Sequence, residues 1–237
     1  MSGNNQGHVF EVLCELRFSG SPSFPASVIL PGFLFTRLKK ENLVSKFEPL
    51  PQSGIPTQMR EADDNLKYLT THRMVGEKGF IAAVGDHALS VSITQDYNGW
   101  PDLRDKASKV FAHAITSEAL GTIERVSIKY LNLFPSDLGQ DQFRLIDGSV
   151  RLGSRTLTSE STQLRYEFQL GEVTASVNIV SQATLQAQVG SFRATGLVLD
   201  MDFIVSRPHM NLEDVLSSLD EAHRRANETY TDIVGKK

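Results

Sequence analysis

Seven charged residues have the types and the spacing to build a polar site. They are Glu11, Glu15 and Arg17 near the start of the chain, Arg125 and Lys129 at its centre, and Asp200 and Asp202 towards its end. Each group lies in a stretch where apolar and polar residues alternate, the period-two pattern of a strand with one buried side. In Val9–Phe18, Phe10, Val12, Cys14, Leu16 and Phe18 take one face and leave Glu11, Glu15 and Arg17 on the other. Over 123–134, Val126, Ile128, Tyr130 and Phe134 point inward, with Arg125, Ser127 and Lys129 outward. Leu197, Leu199, Met201, Phe203 and Val205 likewise leave Asp200 and Asp202 side by side. If these strands are neighbours, four acids and three bases share one open sheet face. Fully paired, they form a solvated surface of cross-strand ion pairs, each worth roughly 0.2–1 kcal/mol. Otherwise they form a polar site for a partner or a small charged ligand. Two carboxylates on one side of a strand also suit a divalent cation acting on nucleotides or phosphoesters. The glycine loop that would cradle a phosphate beside Asp200 and Asp202 is missing.

Other chemistries find less support. The six histidines, His8, His72, His87, His113, His209 and His223, show no metal-ligand spacing. His223 falls beside the apolar stripe of a helix, where a packed, hydrogen-bonded imidazole is expected. The single Cys14 lies on the inner face of its strand and reads as a small buried hydrophobe. There is no nucleophile elbow, Walker loop or dinucleotide fingerprint. Trp100 reads as the anchor of a helix start. No catalytic residue, metal ligand or cofactor is assigned.

The elements that must hold the charged residues follow from periodicity and punctuation. After the first strand, 19–31 is rich in Ser, Pro and Gly and predicts a loop, followed by a short helix from Gly32 or Phe33 to about Asn42. Two prolines confine 47–51 to a sheet edge, and 52–65 reads as a mobile surface loop. Strands are predicted over 66–74, 80–84 and 88–94, with glycines at their turns. A helix opens at Trp100-Pro101-Asp102, carries Leu103, Ala107, Val110, Phe111 and Ala114 on one stripe, and stops at Gly121. After the strand at 123–134 comes a connector, 136–148, with room for one helical turn. Further strands are expected at 150–155, 163–170, 173–180 and 196–205, while 181–195 reads either as strand continuation or as loop. Asn211 caps a final helix to about Val234, the strongest periodic signal in the chain.

The predicted fold class is α+β, in two similar halves meeting near residue 121. Residues 1–121 and 122–237 would each be a curved antiparallel sheet with a long helix laid across it, packed as one globular unit. That is the layout of TATA-binding-protein-like and helix-grip folds. Composition agrees with a packed core: 40% of the 237 residues are hydrophobic and 22% are charged. A net charge of −4 with scattered basic pairs disfavours nucleic acid as the partner. One cysteine rules out an intramolecular disulfide. No secretory signal pattern and no apolar run of membrane-spanning length is present, which gives a cytoplasmic protein as the expectation.

Four stretches carry a family resemblance: Glu11-Val-Leu-Cys-Glu15-Leu-Arg17-Phe18, Tyr97-Asn-Gly-Trp100, Arg125-Val-Ser-Ile-Lys129-Tyr130-Leu-Asn132, and Leu199-Asp200-Met-Asp202 with Leu219-Asp-Glu-Ala-His223 and Asn227. Together they resemble a sporadically distributed family of uncharacterised bacterial and archaeal proteins, in which arginine usually stands at the position of Lys129. The resemblance implies no activity. Patchy distribution of such a family suggests mobile genes, often defence or toxin–antitoxin cassettes. The expected function is therefore a non-catalytic binding protein for a protein partner or small charged ligand, using Glu11, Glu15, Arg17, Arg125, Lys129, Asp200 and Asp202 and the loops near Phe24 and Pro56. The alternative is the metal-dependent enzyme working through Asp200 and Asp202. Homo-oligomer formation is left open.

Overall fold

The computed structural model describes residues 8–19, 24–94, 97–186 and 193–235. In chain order the elements are β1 (Val9–Phe18), α1 (Ala26–Lys40), β2 (Lys46–Pro49), a 3-10 turn (Pro51–Gly54), α2 (Thr57–Ala62), α3 (Asp64–Lys67), β3 (Thr70–Val75), β4 (Phe80–Gly85), β5 (Ala88–Thr94) and α4 (Trp100–Thr116). There follow β6 (Ile123–Pro135), a second 3-10 turn (Gln142–Leu145), β7 (Val150–Leu152), β8 (Arg155–Leu157), β9 (Gln163–Leu170), β10 (Val173–Gln186), β11 (Arg193–Ser206) and α5 (Leu212–Val234). The class is α+β. Nine strands make one antiparallel sheet in the order β2-β3-β4-β5-β1-β6-β11-β10-β9, open at both edges, and β7-β8 is a separate hairpin.

One face of this sheet is apolar and carries the helices. Val12, Cys14, Leu16 and Phe18 of β1 join Val126, Ile128 and Tyr130 of β6 and Leu199, Met201 and Phe203 of β11 in a single core. Onto it α1 lays Leu30, Leu34 and Leu38, α4 lays Leu103, Ala107, Val110 and Phe111, and α5 lays Val215, Leu219, Ala222 and Ala226. Each fully buried Leu, Val or Phe among them contributes about 1.5–3 kcal/mol, and the alternation in the strands leaves their polar residues on the opposite, helix-free face. Asn211 caps α5 through a reciprocal capping box: its side chain accepts from the Asp214 N–H at 2.9 Å, and the Asp214 carboxylate accepts from the Asn211 N–H at 3.0 Å.

Several expectations need correcting. Helix α1 starts at Ala26, well before Gly32, and runs through Pro31. As the sixth helical residue Pro31 deprives the Ser27 carbonyl of its i→i−4 donor, a cost offset by the burial of Leu30, Pro31, Leu34 and Leu38. The segment 52–65 is no mobile loop. It holds the first 3-10 turn, α2 and the start of α3, and it is bolted down by a buried ion pair between Arg60 and Asp86 at 2.7 Å, the two side chains 5% and 3% exposed. Arg60 also donates to the carbonyl of Ile55, and Ser27 of α1 donates to Asp86. Strand β3 begins at Thr70 rather than Leu66, because Leu66 and Lys67 complete α3. The stretch predicted as one strand over 150–155 turns back at Gly153 (φ +61) into the hairpin β7-β8. Strand β10 continues beyond Val180 across an irregularity at Gln182, whose φ is +57. The expectation over 181–195 falls partly on 187–192, outside the described residues. Between β6 and β9 the second stretch of chain has only a 3-10 turn and the β7-β8 hairpin, where the first has α1. No described helix is long and apolar enough to cross a membrane.

Candidate functional site

The helix-free face is built by the three central strands. β1 and β6 pair with Leu13 opposite Lys129, Glu15 opposite Ser127 and Arg17 opposite Arg125. β6 and β11 pair with Lys129 opposite Asp202 and Leu131 opposite Asp200. Because β1, β6 and β11 are consecutive in the sheet, all seven charged residues singled out from the sequence lie on one continuous patch. Only the tertiary pairing could establish that.

Within the patch the charges pair off. Arg17 donates to Glu15 at 2.7 Å, Lys129 meets Asp200 at 3.0 Å, and Arg125 reaches Asp202 at 3.4 Å. The Arg17 guanidinium also lies 4.1 Å from the centre of the Tyr68 ring, a cation–π contact supplied by the segment that Arg60 anchors. The pairing is incomplete. Arg125 Nε, Asp200 Oδ1 and Asp202 Oδ1 are inaccessible to water and lack a hydrogen-bond partner, three of the six such side-chain atoms among the described residues. A buried, unmade hydrogen bond costs about 1–3 kcal/mol, so three on one patch is a substantial local penalty.

The ionisation equilibria register the same strain. Burial raises the Glu11 carboxyl above its ordinary value despite Lys129 and a hydrogen bond from Ser92. Burial likewise raises Asp202, with Arg125, Lys129 and a hydrogen bond from Ser127 pulling the other way. The Arg125 guanidinium is lowered, first by burial and then by Arg17. All three shifts favour the neutral form, as expected of charges withdrawn from water before their partners are complete.

The neighbouring columns define what else the face offers. On one side β5 contributes the hydroxyls of Ser90, Ser92 and Thr94. Towards the other end, Phe10, Leu133 and Val198 are buried in a second apolar cluster with Leu131, Val180 and Leu185 packed against it; Phe10, expected on the inner face, is turned to this one at the register shift between Val9 and Glu11. The charged centre therefore adjoins an apolar cluster that is itself already buried. The exposed Phe24 and the loop at Pro56 lie beside the Arg60–Asp86 clamp, with Val28 and Met59 exposed nearby.

A second cluster, unassigned from the sequence, sits on the helical side where α4 meets α5. His223 of α5 lies 2.7 Å from the Tyr130 hydroxyl through Nδ1 and 3.0 Å from Asn227 through Nε2, and stacks on Trp100 with ring centres 4.7 Å apart. Tyr97 reaches Tyr130 at 3.4 Å. Asp220 accepts two hydrogen bonds from Arg104, at 2.7 and 2.8 Å, and one from Trp100 Nε1 at 3.0 Å. Burial drives His223 down to about 4 and Tyr97 up to about 12, so the imidazole and both phenols are neutral near pH 7. Burial works against ionisation of Asp220, yet the Arg104 and Trp100 hydrogen bonds outweigh it and hold the carboxyl low. This cluster clasps α4, α5 and β6 together. The signal for it was present as Tyr97-Asn-Gly-Trp100, Tyr130 and the helical spacing of Asp220, His223 and Asn227, but nothing in the sequence said that the three meet. Cys14 is buried on the same side, and burial alone pushes its thiol far above its usual range.

No group of three or more His, Cys, Asp or Glu side chains among the described residues could hold a metal ion. Asp200 and Asp202 each already face a cation. The chain matches no protein-family model and no curated protein sequence.

Proposed function

We propose that the helix-free face centred on Arg125, Lys129, Asp200 and Asp202, flanked by Glu11, Glu15 and Arg17, is a recognition surface and that the protein is a non-catalytic binding module. The observation that carries this reading is the trio of buried, unpartnered atoms, Arg125 Nε, Asp200 Oδ1 and Asp202 Oδ1. Displacement of the Lys129 side chain, 42% exposed, would open them to an occupant that accepts one hydrogen bond and donates two. A polypeptide segment or a small zwitterion does both. The occupant's chemistry is thus that of a protein partner or a small charged ligand, in keeping with the defence-type setting that the sequence resemblance suggests.

The same reading takes the chain as two similar halves in the TATA-binding-protein-like manner. In its support, β5 returns to lie beside β1 and β11 returns to lie beside β6, and a long helix, α4 or α5, closes each run. The recognition surface would then straddle the seam between β1 and β6. Metal-dependent phosphoester chemistry at Asp200 and Asp202 is the less favoured reading, since Lys129 and Arg125 occupy the positions a divalent cation would need.

The test is affinity capture with the wild-type protein, Lys129→Glu, and Arg224→Ala as a control on the outer face of α5. A partner retained by wild type and the control but lost with Lys129→Glu supports the surface. Equal capture by all three moves recognition elsewhere. Calorimetric binding of Mg²⁺ or Mn²⁺, abolished by Asp200→Asn, would favour the enzyme instead.

A further inference from the structure

The two edges of the sheet are built differently. β2 is four residues long, begins with Lys46 and ends at Pro49, so it offers little to an incoming strand. β9 runs for eight residues, Gln163-Leu-Arg-Tyr-Glu-Phe-Gln-Leu170, pairs with β10 without a bulge, and contains neither proline nor lysine. Of the usual devices that blunt an edge, β9 has neither shortness, proline nor a bulge; its charges, Arg165 and Glu167, are of opposite sign and bridge each other. On its helix side Leu164 and Tyr166 are 39% and 38% exposed, so apolar surface is left uncovered along the same strand.

The backbone of β9 fixes which residues could pair outward. Gly171 and Glu172 form a two-residue turn, with Gly171 at φ +68, and the flanking Leu170 and Val173 are opposed. Such a hairpin closes on a hydrogen-bonded pair, and the bonding direction alternates along the strand. The N–H and C=O groups of Leu164, Tyr166, Phe168 and Leu170 therefore serve β10, while those of Gln163, Arg165, Glu167 and Gln169 face the open edge.

The side chains then select one partner and one register. We propose that β9 pairs antiparallel with β9 of a second copy of this chain about a two-fold axis at Tyr166. In that register Arg165 of each copy lies opposite Glu167 of the other, Gln163 opposite Gln169, Leu164 opposite Phe168, and Tyr166 opposite its own mate. Every outward-facing backbone group meets another. Sliding by one residue in either direction about the axis sets Arg165 against Arg165 or Glu167 against Glu167, and cross-strand like charges are destabilising. Half-step registers place outward-bonding residues against inward-bonding ones. Arg165 and Glu167, now bridged within one strand at 2.7 Å on an exposed face, exchange that contact for two reciprocal ones. Leu164, Tyr166 and Phe168 become mutually covered. The contact is isologous and closes at two copies, extending the sheet from nine strands to eighteen. One strand pair is smaller than a standard interface of about 1,600 Å², so the dimer is expected in the micromolar range.

Sedimentation velocity on the full chain across that range tests it. Wild type is expected to shift from monomer to dimer with concentration. Glu167→Arg, which puts arginines opposite one another at both symmetric positions, is expected to weaken dimerisation at least about tenfold, and Arg165→Glu with Glu167→Arg to restore it. Circular dichroism confirms that each variant is folded. Tyr166→Cys is expected to cross-link between copies on oxidation, because opposed residues of a non-hydrogen-bonded pair lie about 4.5 Å apart at Cα, within disulfide reach. Leu164→Cys is not. A wild type that stays monomeric, a dimer indifferent to Glu167→Arg, or a folded double variant that stays monomeric each overturns the proposal.

Discussion

Acidification should loosen the clasp between α4 and α5, and His223 sets the size of the effect. Its imidazole is held between Tyr130, Asn227 and Trp100, and burial lowers its proton affinity from an ordinary 6.5 to about 4, against the opposing pull of Asp220. The fold therefore favours the neutral ring. On lowering the pH the unfolded chain takes up this proton first, from about 6.5, while the folded chain resists until about 4. The contribution of His223 is complete above pH 6.5, declines through the interval, and is fully lost below pH 4. Each tenfold difference in proton affinity is worth about 1.4 kcal/mol, which makes the loss about 2 kcal/mol at pH 5 and about 3 kcal/mol at its limit. Carboxylates titrate in the same range, so the measurement is a difference. Wild type and His223→Gln are unfolded in urea at a series of pH values between 7.5 and 5, and their stabilities are subtracted. The gap in favour of wild type is expected to shrink by about 2 kcal/mol across that range. Parallel curves, or an imidazole resonance that titrates near 6.5 in the folded protein, would refute the reasoning.

Two further outcomes follow from the fold. Asp86→Ala strands the buried Arg60 guanidinium and is expected to cost about 3–5 kcal/mol by chemical denaturation. Replacing Arg60 and Asp86 together with apolar residues should recover much of that loss, and equal damage from the double variant would argue against the ion pair as the clamp. Gly79→Ala is expected to cost about 1–3 kcal/mol, read as a lowered melting temperature, because Gly79 sits at φ +71 and a Cβ there would lie 2.0 Å from the carbonyl oxygen of Thr94.

The division between what was readable in the chain and what was not follows from the range of the interactions. Period-two alternation is local, so β1, β5, β6, β9 and β11 were legible, and so was the sidedness of Glu11, Lys129 and Asp202 along them. Helices α4 and α5 announced themselves through their stripes and through Asn211 and Pro101, again within a few residues. Where local signals conflicted with distant ones, sequence reading failed. The polar run at 52–65 looks like loop because nothing nearby shows that Arg60 meets Asp86 across 26 residues. The stretch up to Pro31 looks like loop because the apolar surface that holds the start of α1 in place lies on the sheet.

Strand order belongs to the same class. Alternation states which face Arg125 and Asp202 occupy but says nothing about whether β6 and β11 are neighbours, since pairing strands 60 or more residues apart is decided by the closing of the whole sheet. The sequence determined the seven charges and their faces. The tertiary structure alone made them one patch, left three of their atoms unpartnered, brought Tyr130 to His223, and exposed β9 as an edge, because only there do side-chain packing and sheet hydrogen bonding act on residues that the chain itself keeps far apart.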